Sequence, residues 1–65
     1  MGNFPKRLRT IRKKRKLTQR KLAELSGISD VQISKYENGD AAPTITFLEW
    51  LCTALEVSSK DLLGF

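Results

Sequence analysis

One pattern recurs three times in this chain and leaves few folds open to it. A large aliphatic residue, then a hydroxyl residue, is followed by a second aliphatic five positions after the first: Leu17-Thr18 with Leu22, Ile28-Ser29 with Ile33, and Val57-Ser58 with Leu62. Each marks a helix entrance. The hydroxyl at the N-cap accepts an orphan backbone amide, and the aliphatics at N′ and N4 close over it as a staple. Gln32 and Asp61 stand at N3, where each would complete a capping box. Gly27 and Gly39 fall where a left-handed residue ends a helix. The pattern predicts short helices over 19–26 and 30–38 and a third beginning after Ser58. Pro43-Thr44 opens another, running to about Glu56, with Ile45, Leu48, Leu51, Cys52 and Leu55 as its core stripe. Pro5 suits the first turn of a helix from Phe4 to about Arg15, on which Phe4, Leu8 and Ile11 recur at i, i+4, i+7. Strand alternation and internal repeats are absent from the sequence. The expectation is an all-α, compact five-helix bundle forming a single domain over residues 1–65.

At 65 residues the chain has room for one small core, and 40% hydrophobic content is too much for a disordered tail. There is no histidine, which removes the commonest general base and the commonest metal ligand. The single Cys52 permits no internal disulfide and suits a reducing compartment, so a cytoplasmic location is expected. On the core stripe, Cys52 reads as an inert buried hydrophobe. Ser26 and Thr53 have no neighbouring base to activate them. No apolar run approaches the ~20 residues of a membrane span. Met1-Gly2 begins like a myristoylation signal, but Lys6 stands where a hydroxyl residue is wanted. The expectation is therefore no enzyme, no catalytic or metal-binding residues, no cofactor, no membrane insertion and no small-molecule substrate.

Charge is divided sharply along the chain. Residues 1–23 carry ten cations and no acid, while residues 24–65 carry two cations and seven acids. In so small a fold this produces one positive face, read either as attraction to a polyanion or as a solvated surface. The run from Arg12 to Lys16 would also suit a targeting patch, anionic lipid or RNA.

Two helices joined only by Gly27-Ile28-Ser29 form a helix-turn-helix spacing, at about 18–38. Ala23 and Ser26 are small enough for the helices to cross closely. At about 100° per residue, Ile33, Tyr36 and Glu37 fall on one side of the second helix. Asp30, Val31, Ser34, Lys35 and Asn38 share the other, within an arc of about 140°. That arc is short, mostly polar and suited to the DNA major groove.

Leu17-Thr18-Gln19, Leu22-Ala23, Gly27-Ile28-Ser29, the run Ile33-Ser34-Lys35-Tyr36-Glu37-Asn38-Gly39, and Pro43 together resemble the phage repressor and Cro-type helix-turn-helix, the Xre-like family. The likeness extends over residues ~6–63 and implies a lambda-repressor-like domain of a sequence-specific regulator, usually a repressor. Such a domain binds double-stranded operator DNA, often palindromic, as a dimer. It implies that Asp30, Val31, Ser34 and Lys35 face bases. Gln19, Ser29 and Asn38 would meet phosphate, and Arg12 would pair with Glu37.

Departures from the family pattern add detail. Asp30 is either a dipole-favoured acid or an acceptor for cytosine N4. Arg20-Lys21 replaces a common acid and reads as phosphate-binding. Val31 could meet a thymine methyl. Phe47, Trp50 and Ala54 form a second apolar stripe on helix 4, with Trp50 about 150° from the core stripe. It is read either as partly buried under the C-terminal end or as a surface for a weak homodimer stabilised on DNA, with Leu63 and Phe65 extending it. The alternative function is an antitoxin or other partner-binding module that keeps this fold and grips a protein through Phe47 and Trp50.

Overall fold

Five helices account for the regular structure of residues 3–64, which are the residues described in the computed structural model. In order they are α1 (Phe4–Lys14), α2 (Gln19–Ser26), α3 (Asp30–Asn38), α4 (Ile45–Leu55) and α5 (Ser59–Leu63). Helix α1 stops one residue short of the expected Arg15, which serves as its C-cap. The Met1-Gly2 reading and the extension of the aromatic stripe to Phe65 lie outside the described residues.

The entrances are built as the residue types require. Thr18 Oγ1 accepts the Lys21 amide at 3.0 Å, Ser29 Oγ accepts that of Gln32 at 3.1 Å, and Thr44 Oγ1 accepts that of Phe47 at 3.1 Å. At α5 the Asp61 carboxylate accepts both the amide (3.0 Å) and the hydroxyl (3.1 Å) of Ser58. The expected box at Ser29 is only half made, because Ser29 caps while the Gln32 side chain returns no bond. Gly27 (φ +80°) and Gly39 (φ +79°) turn the chain through the left-handed region that side chains resist. The α2–α3 turn is also tied by its own polar groups. The Gly27 amide donates to the Ala23 carbonyl at 2.9 Å, and the Ile28 amide donates to Ser26 Oγ at 3.2 Å.

These turns bring one side of each helix to a common centre. Phe4 and Leu8 from α1, Leu22 from α2, Ile33 and Tyr36 from α3, Leu51 and Leu55 from α4, and Leu62 from α5 are fully buried, together with Ile28 of the turn. The Phe4 and Tyr36 rings meet edge to face, with centroids 6.2 Å apart. Helix α1 packs between α3 and α5, and α2 packs against α3 and α4. The result measures 26 × 23 × 20 Å.

Two expectations for α4 need correction. Ile45 is not a core residue but 78% exposed. The stripe centres on Leu51 and Leu55, and Ile45 lies about 100° from that centre, on a first turn that is open to solvent. Cys52 is half-buried rather than enclosed. Burial still pushes its thiol pKa up, helped by the Asp61 and Glu49 carboxylates, so the protonated, poorly nucleophilic form prevails at neutral pH.

Candidate nucleic-acid interface

Helix α3 is held from behind by charge. Its inner face carries Glu37, whose side chain is 1% exposed, and the partner across the core is Arg12 of α1, 11% exposed. Arg12 donates through Nε to Glu37 Oε2 at 2.6 Å and through Nη2 to Oε1 at 3.0 Å, a two-pronged match of guanidinium to carboxylate. Its Nη1 donates to the Leu17 carbonyl at 2.8 Å, so the same side chain also fixes the corner that leads into α2. The Gln19 amide, from the first turn of α2, donates to Glu37 Oε1 at 3.1 Å. Three helices are thereby referenced to one carboxylate. No buried side-chain polar atom among the described residues lacks a partner, the condition under which such a network rigidifies a fold.

Arg9 was not among the sequence candidates, yet it joins this group. Its Nη2 donates to the backbone carbonyl of Glu37 at 2.9 Å, and its Nε stands 3.7 Å from Oε1. It therefore holds the C-terminal turn of α3, where carbonyls lack helical donors and favour a cation. A signal was present in the sequence: Arg9 lies three residues before Arg12, on the same side of α1.

With the inner face fixed, the outer face is presented as a unit. Gln19 and Arg20 from α2 and Asp30, Val31, Ser34 and Lys35 from α3 line one open hollow of about 810 Å³. Six of the eight expected DNA-facing residues are thus brought together. Val31, on the same face, is 63% exposed. Ser29 and Asn38 lie outside the hollow, at the two ends of α3. As a cap, Ser29 Oγ accepts an amide, which leaves its O–H free to donate. Asn38 is exposed and makes only a long 3.5 Å contact to Ser34 Oγ. Gln19 departs from expectation in part, because its side-chain amide is directed inward to Glu37.

The second stripe lies apart, on α4. The Phe47 and Trp50 rings pack 5.0 Å apart at 34°, and Trp50 remains 43% exposed. Phe47, Ala54 and Leu63 are half-buried and rest against the edge of the core. Among the described residues there is no cluster of metal-ligating side chains, and no helix is long and apolar enough to cross a membrane.

Residues 8–62 match the family model described as Helix-turn-helix. The chain is 38% identical over 64 residues to the HTH-type transcriptional repressor RghR of Bacillus subtilis, covering 97% of this chain and 47% of that protein. It is 34% identical over 59 residues to the antitoxin PezA of Streptococcus pneumoniae, covering 91% of this chain and 37% of that protein. The chain thus spans about half the length, or less, of these curated relatives. Among solved structures, the DNA-binding domain of the P22 C2 repressor superposes with a TM-score of 0.88 at 37% identity, covering 92% of this chain and 79% of that one.

Proposed function

The chain belongs to the helix-turn-helix family, and from that premise we propose that it is the sequence-specific, double-stranded DNA-binding domain of a transcriptional regulator, a repressor, and not an enzyme. The observation that carries this reading is the shared hollow of α2 and α3. It offers donors, a carboxylate and an exposed valine on one rigidly backed face. In this reading α3 lies in the major groove, where Asp30, Val31, Ser34 and Lys35 meet base edges. Arg20, the Ser29 hydroxyl and Asn38 hold phosphates. The Gln19 side chain is committed to Glu37, so Gln19 meets phosphate through its backbone amide in the first turn of α2. Residues 1–65 act as one domain, and the operator-bound protein resides in the cytoplasm on the nucleoid.

One recognition helix reads only a few base pairs, so a two-fold pair on a palindrome supplies the missing specificity. Phe47, Trp50 and Ala54 are the surface assigned to that pairing. Selection of bound sites from random duplexes tests both points. The expected result is an inverted repeat whose half-sites are one helical turn apart, ~34–36 Å. Trp50→Ala is expected to reduce cooperativity on that repeat while leaving single half-site affinity and the fold intact. Unchanged cooperativity places the pairing surface elsewhere, and recovery of no shared motif overturns sequence-specific recognition.

The packed Phe47–Trp50 pair, exposed at Trp50, and the likeness to an antitoxin favour a second, weaker reading, in which that stripe holds a protein partner of different sequence. It is supported if Trp50→Ala abolishes retention of one defined protein while operator binding persists.

A further inference from the structure

The cations of α1 do not all serve one face. At about 100° per residue, Arg9 and Arg12 point to the α3 side of the helix. Arg7, Thr10, Ile11 and Lys14 lie on the opposite side, roughly 180° away, and Lys6 stands at its edge. With Val57 these residues line a groove of about 600 Å³ between α1 and α5, a volume within the usual range for binding sites. Helix α1 stands between this groove and α3, so a duplex seated on the outer face of α3 does not reach it. Ile11 and Val57 supply a half-buried apolar floor. Arg15 and Asp61 also line the groove but are already engaged, Arg15 with Glu56 at 3.4 Å and the Asp61 carboxylate with the amide and hydroxyl of Ser58. Among the described residues no carboxylate lies within ion-pair reach of Lys6, Arg7 or Lys14. The Arg7 guanidinium is pressed against the backbone of Gly64, where an added Cβ would stand 2.6 Å from its Nε.

We propose that this α1–α5 groove is a docking site for an acidic peptide segment of another protein, one that carries carboxylates on either side of an apolar side chain. The assignment rests on charge and shape together. Lys6 and Lys14 lie eight positions apart on α1, about 12 Å along its axis, which is too far for one compact anion to bridge. An occupant of that length with carboxylates at its ends meets both lysines and lays apolar surface on Ile11 and Val57. A nucleic-acid backbone supplies the negative charge but nothing for the apolar floor. The site rests on the proposed DNA face only in being separate from it, so the protein can hold operator and peptide together.

The test uses the whole chain, a half-site duplex and a short synthetic peptide with glutamates flanking two leucines. Peptide titration is expected to shift the amide resonances of Thr10, Ile11 and Val57 and to leave those of Ser34 and Lys35 unmoved. The double variant Lys6→Glu, Lys14→Glu is expected to weaken the peptide about tenfold or more while sparing duplex affinity. Lys35→Ala is expected to do the reverse, which separates failure of this proposal from failure of the DNA reading. Equal binding of a glutamate peptide lacking the leucines reduces the groove to a general polyanion surface and overturns the proposal. Displacement of the peptide by duplex, or equal loss of duplex binding in the double variant, overturns it by placing this face on DNA.

Discussion

Glu37→Ala is expected to leave the domain largely unfolded at room temperature. The carboxylate is 1% exposed and answers both prongs of Arg12 as well as the Gln19 amide. Removing it leaves the Arg12 guanidinium, 11% exposed, with only the Leu17 carbonyl. Breaking one side of a buried pair costs up to ~3–5 kcal/mol, because the remaining charge stays desolvated. A core of this size rarely supplies more than about 3–5 kcal/mol in total, so the loss rivals the whole stability of the fold. Replacing both Arg12 and Glu37 by apolar residues is expected to recover part of it, since no unpaired charge then remains. Thermal or urea unfolding of the two single variants and the double variant forms the cycle that checks this. Additive losses refute the claim that the pair acts as a unit. Glu37→Gln separates charge from shape: it keeps an acceptor for Gln19 but not the two-pronged charge match, so its loss falls between those of wild type and Glu37→Ala.

How far the sequence anticipates this arrangement depends on what kind of residue carries the information. Thr18, Ser29, Thr44, Gly27 and Gly39 act on the backbone within a few positions of themselves. Each therefore declares a helix end without reference to the rest of the fold, and the observed bounds follow them closely. The outer arc of α3 is legible for the same reason, because helical periodicity alone separates Ser34 and Lys35 from Ile33 and Glu37. Ile45 shows where periodicity fails: a residue can lie at the margin of the apolar side of its helix and still be bare on an open first turn. Gln32 matches the capping-box pattern without making its return bond, since a flexible side chain has other rotamers open to it. The bonds of Arg9 and Gln19 to Glu37 are the least legible, although helical spacing puts Arg9 on the same side of α1 as Arg12. Each depends on where a long side chain ends, and both side chains end on Glu37, far along the chain: Arg9 on its backbone carbonyl and Gln19 on its carboxylate. The family resemblance suggests Arg12 with Glu37, but not the further donors gathered on Glu37.

Lys35 and Arg20 are expected to fail in different ways when replaced, and the difference tests the DNA reading most directly. Both line the hollow of α2 and α3. Among the described residues no carboxylate pairs with either, so each is available to an outside acceptor. Lys35 sits on the outer arc of α3, where a base edge passes if the helix occupies the major groove. Arg20 lies in the first turn of α2, which in that same docking would flank the groove and face the backbone. A base contact discriminates, and losing it costs about 1–3 kcal/mol at one position of the site. A phosphate contact does not discriminate, and losing it lowers affinity for every sequence and reduces the salt slope by about one. Lys35→Ala is therefore expected to relax the selected motif at a single position of each half-site, most simply a guanine. Arg20→Ala is expected to keep the motif and weaken operator and random duplex alike, with a shallower dependence of log K on log salt. The measurements are site selection for the first variant and titration across a salt series for the second. A selected motif that Lys35→Ala leaves unchanged removes Lys35 from the base-reading face. A motif altered by Arg20→Ala moves base recognition toward α2.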